Sequence, residues 1–411
     1  MVGRLGGWLS LSRAAPGSSL SPHRVREGER AIATAPSVTV VGAGLAGLRT
    51  VERLRHRGYS GRIVLLGAEP HPPYDRPPLS KQVLRGERDI FWLRPADNYA
   101  DLDVEVRLGE EVLELDTQRR MIRSRDARLP YDALVIATGA SPRRVPGLNG
   151  LVLRTLDHAN ELRGLLRPGA RLVIVGAGLI GCEAAASARS MGVEVDLIDV
   201  LSGPLIRVVG GRVCDLVADL HRTHGVRLHM GTAATRLDSG ELALADGTVL
   251  AADVVLEAVG AVPATGWLEG SRLRLDDGVV CDAEGRAAEN VYAVGDVARW
   301  GGRRSEHWTN AGWQADRVAA TILGQEPPLP EAAYWWSDQY DIKLQGLGAP
   351  APDDDVHLLT WGPKDRTVAL YARDGRLTGV VGFSAASAVM RLRADLAAGT
   401  AIGEVLARLA P

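Results

Sequence analysis

A glycine signature that occurs twice constrains the fold of this chain more than any other feature. In residues 171–187 an apolar run leads into Gly176, Gly178 and Gly181, and an alanine-rich stretch follows. This pattern predicts a buried strand, a tight turn and a helix. The first glycine allows the turn, the second lets a pyrophosphate approach the backbone, and the third lets the helix pack on the strand. The helix N-terminus then faces the phosphates with its partial positive charge, although one such motif alone is weak evidence for a dinucleotide site.

The same signature lies upstream, where the apolar residues 38–41 lead into Gly42, Gly44 and Gly47. Two copies in one chain predict an α/β fold that contains two Rossmann-like dinucleotide-binding domains. Two such sites are typical of proteins that pass electrons from a nicotinamide to a flavin. We therefore expect a nicotinamide and a flavin dinucleotide as cofactors.

An acidic side chain follows the second strand of each predicted βαβ unit. These are Glu69 in the first unit and Asp199, 23 positions beyond Gly176, in the second. An acid in this place accepts hydrogen bonds from ribose hydroxyls; the alternative for Glu69 is a solvated strand end. Since a carboxylate at Asp199 repels a 2′-phosphate, the sequence favours NADH over NADPH, while Arg207 leaves a phosphate-binding alternative open.

A rigid segment and a further acidic residue, Asp296, also indicate a bound ring system. Residues 72–81 contain four prolines, which forbid regular secondary structure, and carry Arg76 and Lys81, one of three lysines in the chain. We expect these cations beside a bound ring, whereas the alternative is an exposed proline loop with solvated charges. Asp296 follows a predicted strand and favours a hydrogen bond to a chain hydroxyl such as ribityl; the alternative, a helix N-cap, is compatible with that role.

Changes in composition and periodicity, together with the family resemblance given below, divide the chain into predicted domains. These are a disordered N-terminal extension at 1–36, an FAD-binding domain at 37–143 and 264–326, an NADH-binding domain at 144–263, and an α+β C-terminal domain at 327–411. The alternative for the extension is a targeting segment. Short alternating runs within 101–129 predict a small antiparallel meander.

Composition argues against several classes of protein. The net charge of −2 argues against wholesale nucleic-acid binding, and no apolar run approaches the ~20 residues that cross a membrane. Cys182, Cys214 and Cys281 form neither a CxxC pair nor a ligand-like cluster. We therefore expect no metal site and no sequence-local redox disulfide. Such cysteine usage is typical of a reducing compartment, so we expect a cytoplasmic protein.

Several motifs together carry a resemblance to a known family. In chain order they are the first GxGxxG, Pro-Tyr-Asp-Arg-Pro-Pro-Leu-Ser-Lys at 73–81, Ala-Thr-Gly at 137–139, the second GxGxxG with Glu183, Tyr-Ala-Val-Gly-Asp at 292–296, Glu-His-Trp-x-Asn-Ala at 306–311 and Trp-Ser-Asp-Gln-Tyr at 336–340. From residue 37 to about 400 the chain resembles the FAD-dependent NADH:ferredoxin reductases. That family has a glutathione-reductase-like fold and serves Rieske dioxygenases or bacterial haem monooxygenases.

The resemblance implies a set of contacts for each nucleotide. For FAD it implies Gly42, Gly44, Gly47, Glu69, Arg76, Lys81, Thr138, Gly139, Asp296 and Trp336. For NADH it implies Gly176, Gly178, Ile180, Gly181, Glu183 and Asp199. Two residues depart from the family pattern, since Asp199 replaces a glutamate and Trp313 stands where a polar residue is usual.

The resemblance also implies how the chemistry is divided among side chains. Glu183 is expected to bind the nicotinamide carboxamide, and Lys81 to lie near flavin N5 and pair with Glu183, so these two are the candidate catalytic residues. The expected partner is a two-iron two-sulfur ferredoxin, with Trp308 and Trp336 on the exit side and arginines that steer an acidic partner. The alternatives are an apoptosis-inducing-factor-like redox-switched protein and a monodehydroascorbate or quinone reductase.

Overall fold

The computed structural model describes residues 36–329 and 332–409, with 96–98 described by their backbone alone. The predicted disordered extension therefore lies outside the described residues, except for Pro36. No helix within these ranges is long and apolar enough to cross a membrane.

The first sheet has six strands, and Val38–Val41 lies near its centre, parallel to a neighbour on each side. In spatial order the strands are Arg286–Ala288, Val291–Ala293, Ala133–Ile136, Val38–Val41, Ile63–Gly67 and Val104–Leu108. Continuous apolar runs form the central strands because both faces of the sheet are covered. The helices Leu45–His56 and Trp308–Ile322 pack on one face.

The other face of this sheet carries two small sheets of three strands each. One consists of Val112–Asp116, Met121–Ser124 and Arg128–Pro130, and the other of Val279–Cys281, Ala298–Trp300 and Arg303–Arg304. The predicted meander at 101–129 is therefore wrong for its first strand, since Val104–Leu108 pairs in parallel with Ile63–Gly67. A half-exposed edge strand alternates in the same way as a meander strand, so the local pattern could not separate the two.

The second sheet repeats this plan with five parallel strands. They are, in spatial order, Arg227–Met230, Glu194–Asp199, Arg171–Val175, Val254–Glu257 and Leu151–Val152. The helices Leu156–Leu165, Leu179–Ser190 and Ile206–Thr223 cover one face, and the antiparallel strands Ala234–Asp238, Glu241–Leu244 and Val249–Ala251 cover the other. The helix Ile206–Thr223 is kinked at Gly210, whose φ is 69°.

Two chain crossings connect the two parallel sheets. The strands Ala140–Pro142 and Ala261–Pro263 pair antiparallel, so the crossings lie side by side. Thr138 donates its hydroxyl to the carbonyl of Ala264 at 2.9 Å, and the Ala264 amide donates to the carbonyl of Gly139 at 3.0 Å. The predicted domain boundaries fall beside these crossings and stay a prediction.

An antiparallel sheet of five strands forms the C-terminal part. In spatial order its strands are Tyr334–Gln339, Ile342–Gly348, Arg376–Phe383, Arg366–Arg373 and Asp355–Trp361. The helices Ala386–Arg391, Arg393–Ala398 and Ile402–Leu409 cover one face. The opposite face buries Trp335, Leu344 and Tyr371 against the core of the second parallel sheet. The described residues thus have the predicted architecture of two Rossmann-like sheets and an α+β C-terminal part.

Short 3₁₀ turns lie in the connections between these elements. They are Pro77–Ser80, Ala96–Leu102, Gly266–Leu268 and Gly295–Val297. The first ends beside Lys81 and the last contains Asp296, so two of the four turns place residues of the candidate site.

Candidate functional site

Both glycine turns open onto one cavity of about 1660 Å³. Each turn follows the carboxyl end of a central parallel strand, Val38–Val41 in one sheet and Arg171–Val175 in the other. Ligands of doubly wound sheets bind at this edge of the sheet. The cavity is therefore the candidate site, and its two ends are built alike.

The first turn shows why three glycines are needed. Gly42 has a φ of +115°, and a Cβ there would overlap the carbonyl of Ala137. A Cβ on Gly47 would overlap the carbonyl oxygen of Gly42, whereas one on Gly44 would meet no atom within 4 Å. Gly44 therefore lines the cavity with bare backbone, and Gly47 supports the turn from behind.

The second turn has the same geometry. Gly176 has a φ of +108° and packs against the carbonyl of Ala258, Gly181 packs against the carbonyl of Gly176, and Gly178 faces open space. The helices that follow both turns have no acidic residue in the first turn and no side-chain cap, so their first amides have no side-chain partner. Exposed amides and an open glycine at a helix start fit a pyrophosphate. Neither Gly47 nor Gly181 lines the cavity, and the nucleotide contacts implied for them stay predictions.

Glu69 is held in a small hydrogen-bonded cluster at the first end of the cavity. It accepts from the hydroxyl of Tyr74 at 2.5 Å and from the guanidinium of Arg76 at 2.6 Å. Arg76 also donates to the carbonyl of Arg154 at 2.6 Å. Burial raises the pKa of Tyr74 well above its ordinary value, so the phenol stays a donor. The carboxylate is fixed in direction and keeps lone pairs for ribose hydroxyls.

Asp199 occupies the equivalent place at the other end. One of its oxygens accepts from the amide of Ala177 at 2.7 Å and the other from the amide of Leu201 at 2.9 Å. These bonds tie the strand end to the second glycine turn. Arg207 also lines the cavity, so Asp199 and the residue that leaves a phosphate-binding alternative open both lie on its wall.

Lys81 and Glu183 form a buried ion pair between the two ends. The ammonium lies 2.6 Å from Oε2 of Glu183, and each side chain is 4% exposed. Lys81 also donates to the carbonyl of Pro77 at 2.9 Å. Glu183 accepts from the hydroxyls of Ser80 at 2.5 Å and Ser337 at 2.8 Å. Because further donors satisfy the carboxylate, the pair tolerates its removal from water.

The remaining predicted site residues also line the cavity, namely Thr138, Gly139, Ile180, Asp296 and Trp336. Gly139 follows Thr138 at the first crossing with a φ of +71°. Asp296 pairs with Arg154 at 2.8 Å and lies within its 3₁₀ turn, so the alternative of an N-cap is not what the structure shows. Ile180, in the first turn of its helix, is 41% exposed. Their contacts with nucleotides stay predictions.

Aromatic side chains form the wall next to the C-terminal sheet. Trp336 meets Trp308 edge to face at 6.2 Å between ring centroids, and Trp308 donates its indole N–H to Asp75 at 2.8 Å. The guanidinium of Arg49 lies 5.8 Å from the centre of the Trp308 ring. Trp313 donates to the carbonyl of Leu329 at 2.8 Å, which anchors the residue that departs from the family pattern.

Four residues of the site have no counterpart among the predictions from sequence. Ser80 and Ser337 donate to Glu183, Arg154 pairs with Asp296, and Asp75 accepts from Trp308. Both serines lie inside motifs that were recognised, so position within a motif was the available signal. No local sequence pattern marks Arg154 as a residue of the site. Asp75 is half-buried, which raises the pKa of its carboxyl group.

The three cysteines are free thiols, and all of them are buried. Burial raises the pKa of Cys182 well above its usual value, and its sulfur lies 3.4 Å from the carbonyl oxygen of Ala177. A reactive thiolate needs a lowered pKa and some exposure, which this thiol lacks. Among the described residues, no group of histidine, cysteine or acidic side chains could hold a metal ion.

Comparisons with known proteins cover nearly all of the described chain. The family model for pyridine nucleotide-disulphide oxidoreductases matches residues 36–315, and that for the reductase C-terminal domain matches 334–408. The ferredoxin–NAD(+) reductase subunit of the benzene 1,2-dioxygenase system of Pseudomonas putida is 40% identical over 369 residues, which is 85% of this chain and 89% of that protein.

Putidaredoxin reductase of Pseudomonas putida is 34% identical over 337 residues, covering 76% of this chain and 80% of that protein. The crystal structure of a covalent putidaredoxin reductase–putidaredoxin complex matches with a TM-score of 0.85 at 30% identity. That match covers 89% of this chain and 94% of the other.

Proposed function

Because the chain belongs to the pyridine nucleotide-disulphide oxidoreductase family, and within it to the ferredoxin–NAD(+) reductases, we propose that it carries electrons from NADH through FAD to a ferredoxin. It is an FAD-dependent NADH:ferredoxin oxidoreductase, and its partner is a two-iron two-sulfur ferredoxin that supplies an oxygenase. The observation that carries this function is the pair of equivalent glycine turns facing one cavity, with a buried lysine–glutamate pair between them.

The first end of the cavity suits FAD. The amides after Gly44 would hold its pyrophosphate, Glu69 its ribose and Asp296 its ribityl chain. Arg76 holds Glu69 in place through their 2.6 Å contact. When bound, FAD supplies the chemistry that turns a hydride from NADH into two single electrons.

The second end suits NADH. The amides after Gly178 would hold the pyrophosphate, and the carboxylate of Asp199 would accept from the adenosine ribose hydroxyls. A 2′-phosphate in that place would meet a fixed negative charge, so NADH is the preferred donor over NADPH.

The protein's part in the reaction is to orient groups and to fix charges. Glu183 would hold the nicotinamide carboxamide and so select the reacting face. Lys81 places a positive charge at the cavity wall, where it would stabilise negative charge on a bound ring. No thiol takes part, because all three cysteines are buried and unactivated.

The function is tested with purified protein loaded with FAD. We expect NADH to support rapid cytochrome c reduction when a two-iron two-sulfur ferredoxin is added, and slow reduction without it. Fast turnover with a quinone alone would favour a quinone reductase. Persistent reduction by NADH with negligible turnover would favour a redox-switched binding protein, and a preparation that takes up no FAD would contradict the proposal.

We propose a cytoplasmic location as well. Three free, buried thiols and no paired cysteine fit a reducing compartment. Fractionation of the native host tests this, with recovery in the periplasmic or membrane fraction as the contradicting result.

A further inference from the structure

The side of Glu183 that faces away from Lys81 leads into the C-terminal sheet. Ser337 donates to Oε1 of Glu183 at 2.8 Å, and the amide nitrogen of Gln339 donates to Ser337 Oγ at 3.2 Å. Both residues are fully buried on the strand Tyr334–Gln339. Two inward-facing polar side chains on one strand are costly unless they are hydrogen-bonded.

The chain of hydrogen bonds continues into the helix Ile206–Thr223. Nε2 of His221 lies 3.1 Å from the side-chain oxygen of Gln339, and Nδ1 lies 2.9 Å from the hydroxyl of Tyr340. His221 is fully buried, and burial lowers its pKa to about 4, so the ring is neutral at neutral pH and carries one N–H.

The direction of every bond follows from the carboxylate. An ionised Glu183 accepts only, so Ser337 must donate to it and must accept from the amide group of Gln339. The oxygen of Gln339 then accepts from Nε2–H of His221, which leaves Nδ1 to accept from Tyr340. We call Tyr340, His221, Gln339 and Ser337 the donor array, because each donates toward Glu183.

We propose that the donor array positions Glu183 for the reaction, with Ser337 as the residue that sets its direction. Aligned hydrogen bonds in a buried chain strengthen one another, so the array holds the carboxylate of Glu183 in one orientation. Ser80 and Lys81 hold the other oxygen, Oε2. The carboxylate is thus held on both oxygens, by the proline segment on one side and by the C-terminal sheet on the other.

This inference rests on the proposed function, since it assigns Ser337 a role toward a residue that would bind the nicotinamide. It also gives the C-terminal sheet a part in reduction by NADH. Without Ser337, Glu183 keeps its ion pair but loses the donor that fixes its second oxygen, and the amide of Gln339 loses its acceptor.

The test uses the full-length, FAD-loaded protein and a matched control. Ser337→Ala removes a hydroxyl that donates to a buried carboxylate, and Thr378→Val does the same in this sheet, where Thr378 donates to Asp354 at 2.7 Å. We expect Ser337→Ala to lower the limiting rate of flavin reduction by NADH about 10-fold, as for one lost bond to a charged group. Ser337→Thr and Thr378→Val should stay within about twofold of wild type.

A second readout does not depend on turnover. Infrared bands of the Glu183 carboxylate, assigned by their loss in Glu183→Gln, should shift in Ser337→Ala and return in Ser337→Thr. If Ser337→Ala does not fold, Gln339→Met is measured instead, and a smaller drop in rate with a band shift of the same sign is expected.

The inference is overturned if Ser337→Ala reduces its flavin as fast as wild type, or if Ser337→Thr loses as much rate as Ser337→Ala. Unchanged carboxylate bands in every folded variant would overturn it as well. A wild-type protein that NADH does not reduce would instead contradict the proposed function, so the two failures are distinguishable.

Discussion

Alanine at Gly178 should abolish tight NADH binding while leaving the fold intact. An added Cβ meets no atom within 4 Å, and the φ of −77° suits any residue, so the substitution introduces no internal clash. The methyl group would, however, occupy the space in front of the helix amides and keep a phosphate oxygen beyond hydrogen-bond distance. Two lost bonds to a charged group, at about 1.5 kcal/mol each, amount to roughly 3 kcal/mol, or about 100-fold in affinity.

Calorimetric titration of FAD-loaded Gly178→Ala with NADH analogues or NAD⁺ measures this loss, and thermal unfolding reports the stability. Gly403→Ala is the matched control, because its Cβ also meets no atom within 4 Å and it lies on a helix outside the cavity lining. Gly44→Ala should lose FAD instead. A dissociation constant that rises less than about threefold in Gly178→Ala would refute the assignment of the second turn to a pyrophosphate.

Three further substitutions or treatments have defined outcomes. Lys81→Met should lower the free energy of unfolding by about 3 kcal/mol in denaturant titrations, because it leaves Glu183 as an unpaired buried charge, and adding Glu183→Gln should restore part of it. Burial lowers the pKa of His221 from 6.5 to about 4, so its contribution to stability is present above pH 6.5 and is lost as the pH falls toward 4. The midpoint temperature of thermal unfolding should therefore fall as the pH is lowered from 6.5 toward 4. In His221→Gln this midpoint should depend less on pH over the same range. Since burial raises the pKa of Cys281 to about 12 and all three thiols are buried, a thiol reagent at neutral pH should react only after denaturation.

The glycine motifs predicted the two parallel sheets because they encode a local geometry. Gly42 and Gly176 have φ values near +110° that other residues rarely adopt, so the turn requires glycine and the sequence itself shows where it lies. The placement of Val104–Leu108 was not visible, because its partner strand is chosen by tertiary contacts. The kink at Gly210 was also missed, since one glycine within a helical pattern does not report its φ.

The residues of the site also divide into those that local sequence predicts and those that only tertiary contacts bring together. The acids Glu69 and Asp199 stand at a fixed place after a strand, and the structure puts both on the cavity wall. The contact between Lys81 and Glu183 joins residues 102 positions apart, and only the resemblance suggested it. Ser337 carries no sequence signal of its own, because a serine in a strand is usually a surface residue.

The strand Tyr334–Gln339 shows how one short segment serves both parts of the proposed reaction. Successive side chains in a strand point to opposite faces, and here Trp335, Ser337 and Gln339 are buried while Trp336 is only half-buried. Trp336 meets Trp308 on the wall where electrons would leave, and Ser337 reaches Glu183 where NADH would bind. A shift of this strand by one residue would exchange the two faces and disrupt both contacts together. The Trp-Ser-Asp-Gln motif is therefore specific because its alternation, and not any single residue, brings one side chain to Glu183 and the next to the tryptophan wall.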